Sequence, residues 1–437
     1  MRDILLTLIV FGFIPFIFVR PYVGILVWSW LGFMNPQRLC FGFAYDFPFS
    51  KLIGAITIIA FFYYKDKIVP KGTGLLWILV AYVVWVSITT TMALYPEEAL
   101  FQWSTFLKIM AMVLLIIFMA SDKDKVNALV ATIVFSLGYF GFKGGVFTIM
   151  TAGAYHVWGP PASFITDNNA LGLALVMTLP LMWYLHSLFK KKLYRNFTLV
   201  MMVFTAFAIL GTQSRGGFLA LIAMTGFLVL KSKAKFKVAT IVIILAPLLY
   251  VFMPQSWHDR MDTIKNYQQD ESAMMRINAW EFSINLAKDY PVAGGGYSTF
   301  TEELFRRYSE RPEVPWTGPH SIYFESLAEH GYVGLTLFVL MLIILYRTMG
   351  SIMKNAPKYE DMLWMRDLAA MIQVSLVGYM VAGLFLEMAK FDLLYALVGI
   401  GITMSTLLHK RQMQESSLPD SDINKSVSGG MTVAIGK

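Results

Sequence analysis

The chain has 437 residues, of which 57% are hydrophobic and 15% are charged, and its mean hydropathy is +0.59. A soluble globular protein carries about 45–50% apolar and about 25% charged residues, so this composition excludes an ordinary soluble domain and indicates a polytopic membrane protein. The formal net charge of +8 does not indicate nucleic-acid binding, because basic and aromatic residues form no readout pattern and loops between apolar runs account for the charge.

Apolar runs follow one another along most of the chain, with lengths near the ~20 residues that cross a bilayer. The first run is interrupted by Pro15 and Pro21, and we count it as one net crossing. The pattern therefore predicts an all-α fold with about 12 transmembrane helices. The runs cover residues 4–34, 49–64, 74–94, 99–120, 126–142, 168–189, 194–212, 216–230, 236–253, 321–346, 368–388 and 393–409.

Lysine and arginine are concentrated in alternate loops, and this bias predicts the orientation by the positive-inside rule. The basic loops are predicted to be cytoplasmic, with both chain termini on that side. The first run must then cross once net, and Arg20 is predicted to snorkel at an interface. The basic loops contain Lys65, Lys67, Lys71, Lys123, Lys125, Lys190, Lys191, Lys192, Arg195, Lys231, Lys233, Lys235, Lys237, Arg347, Lys354, Lys358, Arg366, Lys410 and Arg411.

Two longer polar segments lie on the opposite side, at residues 143–167 and 254–319. In the second, apolar spacing predicts a helix over residues 273–289 and a short helix over 301–309, followed by an ordered proline-rich loop. The predicted divisions are N-terminal transmembrane helices at 1–253, a periplasmic helical loop at 254–319, C-terminal transmembrane helices at 320–409 and a disordered cytoplasmic tail at 410–437.

Three residues on the outer side are candidates for chemistry. Arg215 lies in a short turn between two apolar runs, where a guanidinium needs a carboxylate, a phosphate or lipid headgroups as partner. Arg276 shares a helix face with Trp280, and a surface salt bridge is the plainer interpretation of this arginine. His320 precedes the next membrane helix, where a neutral imidazole either takes a hydroxyl proton or caps the helix.

Several other kinds of site have no signal in the sequence. No histidine and carboxylate cluster has metal-ligand spacing, the outer loops contain no Asp-x-Asp, and the P-loop and GxSxG patterns are absent from the sequence. The single cysteine, Cys40, excludes an intramolecular disulfide and a cysteine-based metal site. The sequence therefore disfavours metal-driven chemistry, predicts no cofactor and argues against an ATP-driven pump.

The candidate residues stand in four ordered motifs: SRG at 214–216, MRINAW at 275–280, PVAGGGY at 291–297 and HSIYFESLAEHG at 320–331. In order and spacing they resemble the core pattern of the bacterial O-antigen ligase and polymerase superfamily. The N-terminal part is similar to the O-glycosylation ligases associated with exosortase systems. That second resemblance rests on FIFVRP at 16–21, MNP at 34–36, GFKGG at 141–145 and TDNN at 166–169.

The resemblance implies a GT-C-like helical bundle in the bacterial inner membrane, with its active site on the periplasmic face. It implies transfer of a glycan from undecaprenyl diphosphate to an acceptor hydroxyl, that of lipid A–core in lipopolysaccharide ligases, without nucleotide sugar or metal. His320 would be the general base or would orient the acceptor, and Arg215 and Arg276 would hold the diphosphate. Attack opposite the leaving group would invert the anomeric carbon. The further substrate-binding candidates are Ser214, Lys143, Asn168 and Tyr323.

Three alternatives stay open at this point. The core motifs are shared by polymerases, which extend a glycan on its own lipid carrier, and by protein O-oligosaccharyltransferases. A transporter or flippase for the lipid-linked glycan is a non-enzyme alternative, although such proteins typically show internal repeats. The expected partners are the lipid-linked donor, the acceptor and membrane lipids, and a single copy of the chain is expected to suffice.

Overall fold

The computed structural model describes residues 1–71, 73–231 and 271–417, together with residues 236, 240, 247, 251, 253–255, 257 and 258. Every regular element within these residues is helical. Nine of the helices described are long and apolar enough to cross a membrane. The prediction of an all-α polytopic membrane protein is confirmed.

The α-helices that can be described are numbered here in chain order. Their bounds are α1 Arg2–Val19, α2 Tyr22–Met34, α3 Phe49–Tyr63, α4 Gly74–Thr91, α5 Pro96–Met119, α6 Lys123–Met150, α7 Asn168–Leu188, α8 Lys192–Gly211, α9 Arg215–Lys231, α10 Glu271–Asp289, α11 Glu302–Tyr308, α12 Ile322–Asn355, α13 Leu363–Ala382 and α14 Asp392–Ser416. Most of the run predicted over 236–253 lies outside the described residues, as does the tail after residue 417. The tail was predicted to begin at residue 410, but α14 continues to Ser416.

The first apolar run forms an antiparallel hairpin of α1 and α2. At the start of α1, the Asp3 carboxylate accepts the backbone N–H groups of Gly42 at 2.9 Å and Ala44 at 3.1 Å, both of which follow α2. At the other end, the Tyr22 hydroxyl donates to the carbonyl of Lys125, in the first turn of α6 at the lysine-rich end of the bundle. The chain therefore begins at the end of the bundle opposite the lysine-rich loops. The predictions of a single net crossing and of an N-terminus on the lysine-rich side are wrong.

The break between α1 and α2 has a local cause. A proline disfavours helical backbone in the residue before it, and Arg20, which precedes Pro21, leaves the helix at φ −133° and ψ 82°. The exposed Arg20 side chain lies at the lysine-rich end, where an interfacial arginine is expected. Composition alone could not separate a kinked helix from a hairpin, because both helices are apolar.

The helix α12 is broken at Gly331, where φ is 67° and ψ is −172°. Such a break leaves helix carbonyls without their usual donors, and inside a membrane span every backbone polar group needs a partner. The backbone N–H groups of Gly295 and Gly296 replace two of the missing donors. They donate to the carbonyls of Ala328, at 2.8 Å, and Glu329, at 2.9 Å. The triple-glycine motif therefore closes the broken turn of α12 with its own backbone.

Replacing Gly331 with alanine is expected to destabilise the protein. Its backbone conformation is nearly restricted to glycine and costs other residues about 1–3 kcal/mol. An added Cβ would also lie 2.3 Å from the Val292 carbonyl oxygen. Thermal unfolding of the detergent-purified protein measures the effect. The control is Gly226→Ala in α9, where nothing lies within 4 Å of the new methyl group; equal unfolding temperatures for the two variants would contradict the interpretation.

The two helices predicted in the outer segment are confirmed as α10 and α11. Asn285 of α10 donates to the carbonyl of Tyr308 at the end of α11, at 3.0 Å, and Asn278 donates to the carbonyl of Arg311 just after α11, at 3.1 Å. Ala328 of α12 completes their apolar core, so the outer helices are fixed on the start of a membrane helix. The core consists of Ala279, Phe282, Leu286, Leu304, Phe305, Tyr308 and Ala328.

The run predicted over residues 368–388 is wrong at its C-terminal end. The helix α13 stops at Ala382, a 3₁₀ turn follows over Gly383–Phe385, and α14 begins only at Asp392. Apart from Glu387 and Lys390 the irregular stretch between them is apolar, so a hydropathy pattern does not show where the helix ends. Irregular backbone of this kind is tolerated at membrane depth where it lines a cavity or is buried in protein.

Candidate active site

His320 lies in a strained loop that several groups hold in place. Its φ is +42°, in the left-handed region that few residues other than glycine occupy. Its backbone N–H donates to a carboxylate oxygen of Glu387 at 2.9 Å, and the Trp280 indole donates to the carbonyl of Pro319 at 2.7 Å. At Gly318 a Cβ would lie 1.9 Å from the same Glu387 oxygen. The Gly-Pro-His motif thus leaves room for a carboxylate beneath the histidine.

The surroundings of His320 keep its imidazole neutral at neutral pH. Burial lowers the pKa of His320, and the positive charge of Arg276 lowers it further, against the opposing negative charges of Glu387 and Asp167. Nδ1 lies 3.7 Å from a Glu387 oxygen, and Nε2 lies 3.3 Å from the Thr317 hydroxyl oxygen. A neutral ring beside a carboxylate is suited to accept a proton and to be stabilised once charged.

The helix α10 carries Arg276 towards this histidine. Trp280, one turn further along the same face, stacks on Phe324 of α12 with ring centroids 5.1 Å apart and an interplanar angle of 13°. This stack and the indole bond to Pro319 fix α10 on the loop before His320. Arg276 is partly buried and close enough for its charge to act on the imidazole.

Arg215 is the first residue of α9 and is partly buried. The buried Ser214 hydroxyl caps this helix by accepting the N–H of Gly217 at 3.1 Å. At Gly216 a Cβ would lie 3.2 Å from the Cβ of Phe385, so the start of α9 packs closely on the turn that leads to Glu387. This packing places Arg215 at the same end of the bundle as the histidine loop.

A family model described as O-antigen ligase matches residues 200–339, a range that contains Arg215, Arg276 and His320. This part of the chain is therefore similar to the O-antigen ligase family, in agreement with the motifs at 214–216, 275–280, 291–297 and 320–331. A second model, for a family of unknown function (DUF5935), matches residues 1–190. No curated protein matches the chain. The resemblance of the N-terminal part to exosortase-associated ligases remains a prediction.

Three of the other predicted substrate contacts hold neighbouring elements together, and the fourth is exposed. Asn168 is buried and donates to the carbonyl of Thr212 at 2.7 Å, which ties the start of α7 to the turn before Arg215. The Tyr323 hydroxyl donates to the carbonyl of Met380 at 3.1 Å. Lys143 is exposed within α6, which continues to Met150 beyond the predicted start of the first outer loop. Ser214 caps α9. The contacts therefore give Asn168, Ser214 and Tyr323 a positioning role.

His330 of the O-antigen ligase domain was predicted to be a packing or hydrogen-bonding residue, and this is confirmed. Its Nδ1 lies 2.8 Å from the Thr89 hydroxyl, and its carbonyl accepts the Trp85 indole N–H at 3.0 Å. Its ring packs edge-on against Tyr297 with centroids 4.7 Å apart. The side chain is almost fully buried, so it joins α4 to the broken turn of α12.

Sequence reasoning missed Glu387, which follows the matched O-antigen ligase range. It was counted inside an apolar run, although a carboxylate and Lys390 in one short turn between two apolar runs is the type of signal that singled out Arg215. Among the residues that can be described, no group of three or more His, Cys, Asp or Glu side chains is arranged to hold a metal ion.

Proposed function

We propose that this protein is an inverting glycosyltransferase of the O-antigen ligase type. It moves a glycan from undecaprenyl diphosphate to an acceptor hydroxyl at the periplasmic face of the bacterial inner membrane, with lipid A–core as the leading acceptor. The observation that carries the proposal is the neutral imidazole of His320, held beside Glu387 and close to Arg276 within the O-antigen ligase domain.

In the proposed reaction the acceptor oxygen attacks the anomeric carbon while the bond from that carbon to the diphosphate oxygen breaks. The hydroxyl proton passes to the His320 imidazole, whose nearest carboxylate lies 3.7 Å from Nδ1. Glu387 is the positioning residue, because it holds the backbone of His320 and stabilises the imidazolium that forms.

The leaving diphosphate gains negative charge as the sugar–oxygen bond breaks. Arg215 and Arg276 are proposed to bind it, since a guanidinium presents parallel donors that match phosphate oxygens. In a site partly closed to water, one such preorganised donor contributes about 2.7–4 kcal/mol to the barrier in comparable enzymes. Attack from the face opposite this leaving group inverts the anomeric carbon. The proposal requires neither a metal ion nor a nucleotide sugar.

The direct test is reconstitution of the purified full-length protein in detergent with a lipid-linked glycan donor. Lipid A–core and an acceptor protein are supplied in parallel, with and without EDTA. A covalent glycan–lipid A–core product, insensitive to EDTA, supports the proposal. Lengthening of the glycan on its own lipid carrier alone would identify a polymerase, product on the protein acceptor alone would identify an O-oligosaccharyltransferase, and no covalent product would favour a flippase.

Replacing Glu387 with glutamine is expected to move the acidic limb of the pH–rate profile to lower pH. The negative charge of Glu387 raises the pKa of His320 against the lowering by burial and Arg276, so its removal lowers that pKa further. A base works in its neutral form, and the rate falls as the pH drops through the pKa. The glutamine amide retains an oxygen that can accept the His320 N–H, so the variant changes charge more than shape.

The kcat/KM profile from pH 4 to 8 measures this shift, and the plateau rate is expected to fall as well because the imidazolium loses its carboxylate. Glu302→Gln, on the exposed face of α11, is the control and should leave the profile unchanged. An acidic limb that stays in place, or that moves to higher pH, would contradict the assignment of His320 as the base beside Glu387.

A further inference from the structure

A cavity of about 380 Å³ lies next to the histidine loop and is lined in part by Glu387. It is bounded by the start of α5, the loop before α11, the first turns of α12 and the irregular stretch after α13. Its volume falls within the about 300–1,000 Å³ typical of sites for small molecules. Glu387 lines this cavity and also accepts the backbone N–H of His320, so the cavity adjoins the proposed base.

Two buried acidic side chains line the cavity. Glu325 and Glu329 have side chains that are only 7% and 8% exposed. One oxygen of each accepts a backbone N–H, from Ala389 at 3.1 Å and from Ser298 at 3.4 Å. The other oxygen of each lies 3.8 Å from the Lys390 ammonium, which is an ion-pair distance but too long for a hydrogen bond. These oxygens retain acceptor capacity for a ligand.

The lining of the cavity favours neutral hydroxyl groups over an anion. Glu98, Glu325, Glu329 and Glu387 line it together with Lys390, so carboxyl oxygens outnumber cationic donors there. A diphosphate or a phosphorylated sugar would bring further acceptor oxygens into a space with few cationic donors. Neutral hydroxyl groups, by contrast, can donate to the carboxyl oxygens.

Lys390 is itself held in place. Its ammonium lies 4.5 Å from the ring centroid of the buried Tyr297, in addition to its two carboxylate partners. The aromatic contact and the two carboxyl partners hold the Lys390 ammonium in place.

The amide of Gln102 and the ring of Phe300 add a polar and an apolar wall to the cavity. Carboxylates, an amide and an aromatic face together form a surface suited to a sugar ring.

We infer that this cavity binds a neutral, unphosphorylated sugar unit of the acceptor and presents its hydroxyl to His320. The inference rests on the proposed function, since it assigns the acceptor side of the same reaction. The donor diphosphate belongs with Arg215 and Arg276, neither of which lines the cavity. Glu387 links the two parts of the site, because it lines the cavity and accepts the backbone N–H of His320.

Saturation-transfer NMR on the full-length protein in detergent tests the inference without a transfer assay. The probes are methyl glycosides of glucose, galactose and N-acetylglucosamine, each compared with its 6-phosphate. At least one neutral glycoside is expected to give a signal at millimolar concentration, and its 6-phosphate is expected to give a signal at least about tenfold weaker. Phosphorylated sugars that bind as well as the neutral ones would overturn the inference.

Matched variants at neighbouring positions localise the binding. Gln102→Trp fills the cavity and is expected to weaken sugar binding at least about tenfold, whereas Phe101→Trp, on the exposed side of α5, should not. A milder pair is Glu98→Gln, expected to weaken binding about two- to tenfold, and its neighbour Glu97→Gln, expected to have no effect. Unfolding temperatures of all four variants verify that the fold is intact.

The reconstituted transfer assay separates failure of this inference from failure of the proposed function. Gln102→Trp is expected to raise the KM for the acceptor and to leave the KM for the lipid-linked donor unchanged. Transfer with a normal acceptor KM in this variant would overturn the cavity assignment and leave the proposed function intact. Cavity-dependent sugar binding in a protein that transfers no glycan would overturn the proposed function, and with it the role of the sugar as acceptor.

Discussion

Replacing His320 with alanine is expected to lower the rate of glycan transfer about 10²–10⁴-fold, the usual contribution of a positioned general base. The imidazole is the group placed beside Glu387 and Arg276 to take the acceptor proton. The variant should still fold, because the Glu387 carboxylate binds the backbone N–H at this position and the side chain is 39% exposed. Initial rates with the reconstituted protein measure the effect.

The matched control is His186→Ala. His186 stacks on Trp183 near the lysine-rich end of α7, with its Nδ1 3.0 Å from the carbonyl of Arg195. It is a partly exposed histidine on the other side of the bundle, so its loss should leave the transfer rate unchanged. A His320→Ala protein that retains near-normal transfer and a normal unfolding temperature would remove this residue from the mechanism.

The pH dependence gives the same histidine a second, independent signature. With the pKa of His320 held below its ordinary value by burial and Arg276, the neutral base persists into mildly acidic solution. The residual activity of His320→Ala should lose the acidic limb that the wild-type profile shows. A buried structural histidine would change the unfolding temperature with pH but would not move a kinetic limb.

Much of the fold can be predicted from the sequence pattern. Long apolar runs, the helical spacing within the outer segment and the four ordered motifs predict the membrane helices, α10 and α11, and the region of the candidate site. These features depend on local composition and periodicity, which a sequence displays directly. The match of residues 200–339 to the O-antigen ligase family agrees with the motif-based prediction.

The features that the sequence could not reveal depend on contacts between distant segments. The hairpin of α1 and α2 is defined by Asp3 bonding to Gly42 and by Tyr22 bonding to Lys125. The place of Glu387 beside His320 depends on a helix that ends early inside an apolar run. Hydropathy cannot show either feature, because apolar composition is shared by a membrane helix and by a buried irregular turn.

Replacing Arg215 with lysine is expected to reduce transfer about 10²–10³-fold, which corresponds to about 2.7–4 kcal/mol of transition-state stabilisation. Lysine keeps the positive charge, so a simple electrostatic role would survive the change. A guanidinium differs because its planar fork offers parallel donors to two phosphate oxygens, which an ammonium cannot do. The loss should appear mainly in kcat, since the diphosphate gains charge only as the sugar bond breaks.

The control for Arg215→Lys is Arg306→Lys on α11. Arg306 forms an exposed pair with Glu302 at 2.5 Å, and exposed pairs of this kind contribute about 0–1 kcal/mol. Its replacement should change neither kcat nor KM.

Arg276→Lys should resemble Arg215→Lys. The double variant should lose less activity than the product of the two single effects, because both arginines act on one leaving group. Near-normal kcat in Arg215→Lys would show that a single positive charge suffices there, and the diphosphate clamp would then have to be abandoned.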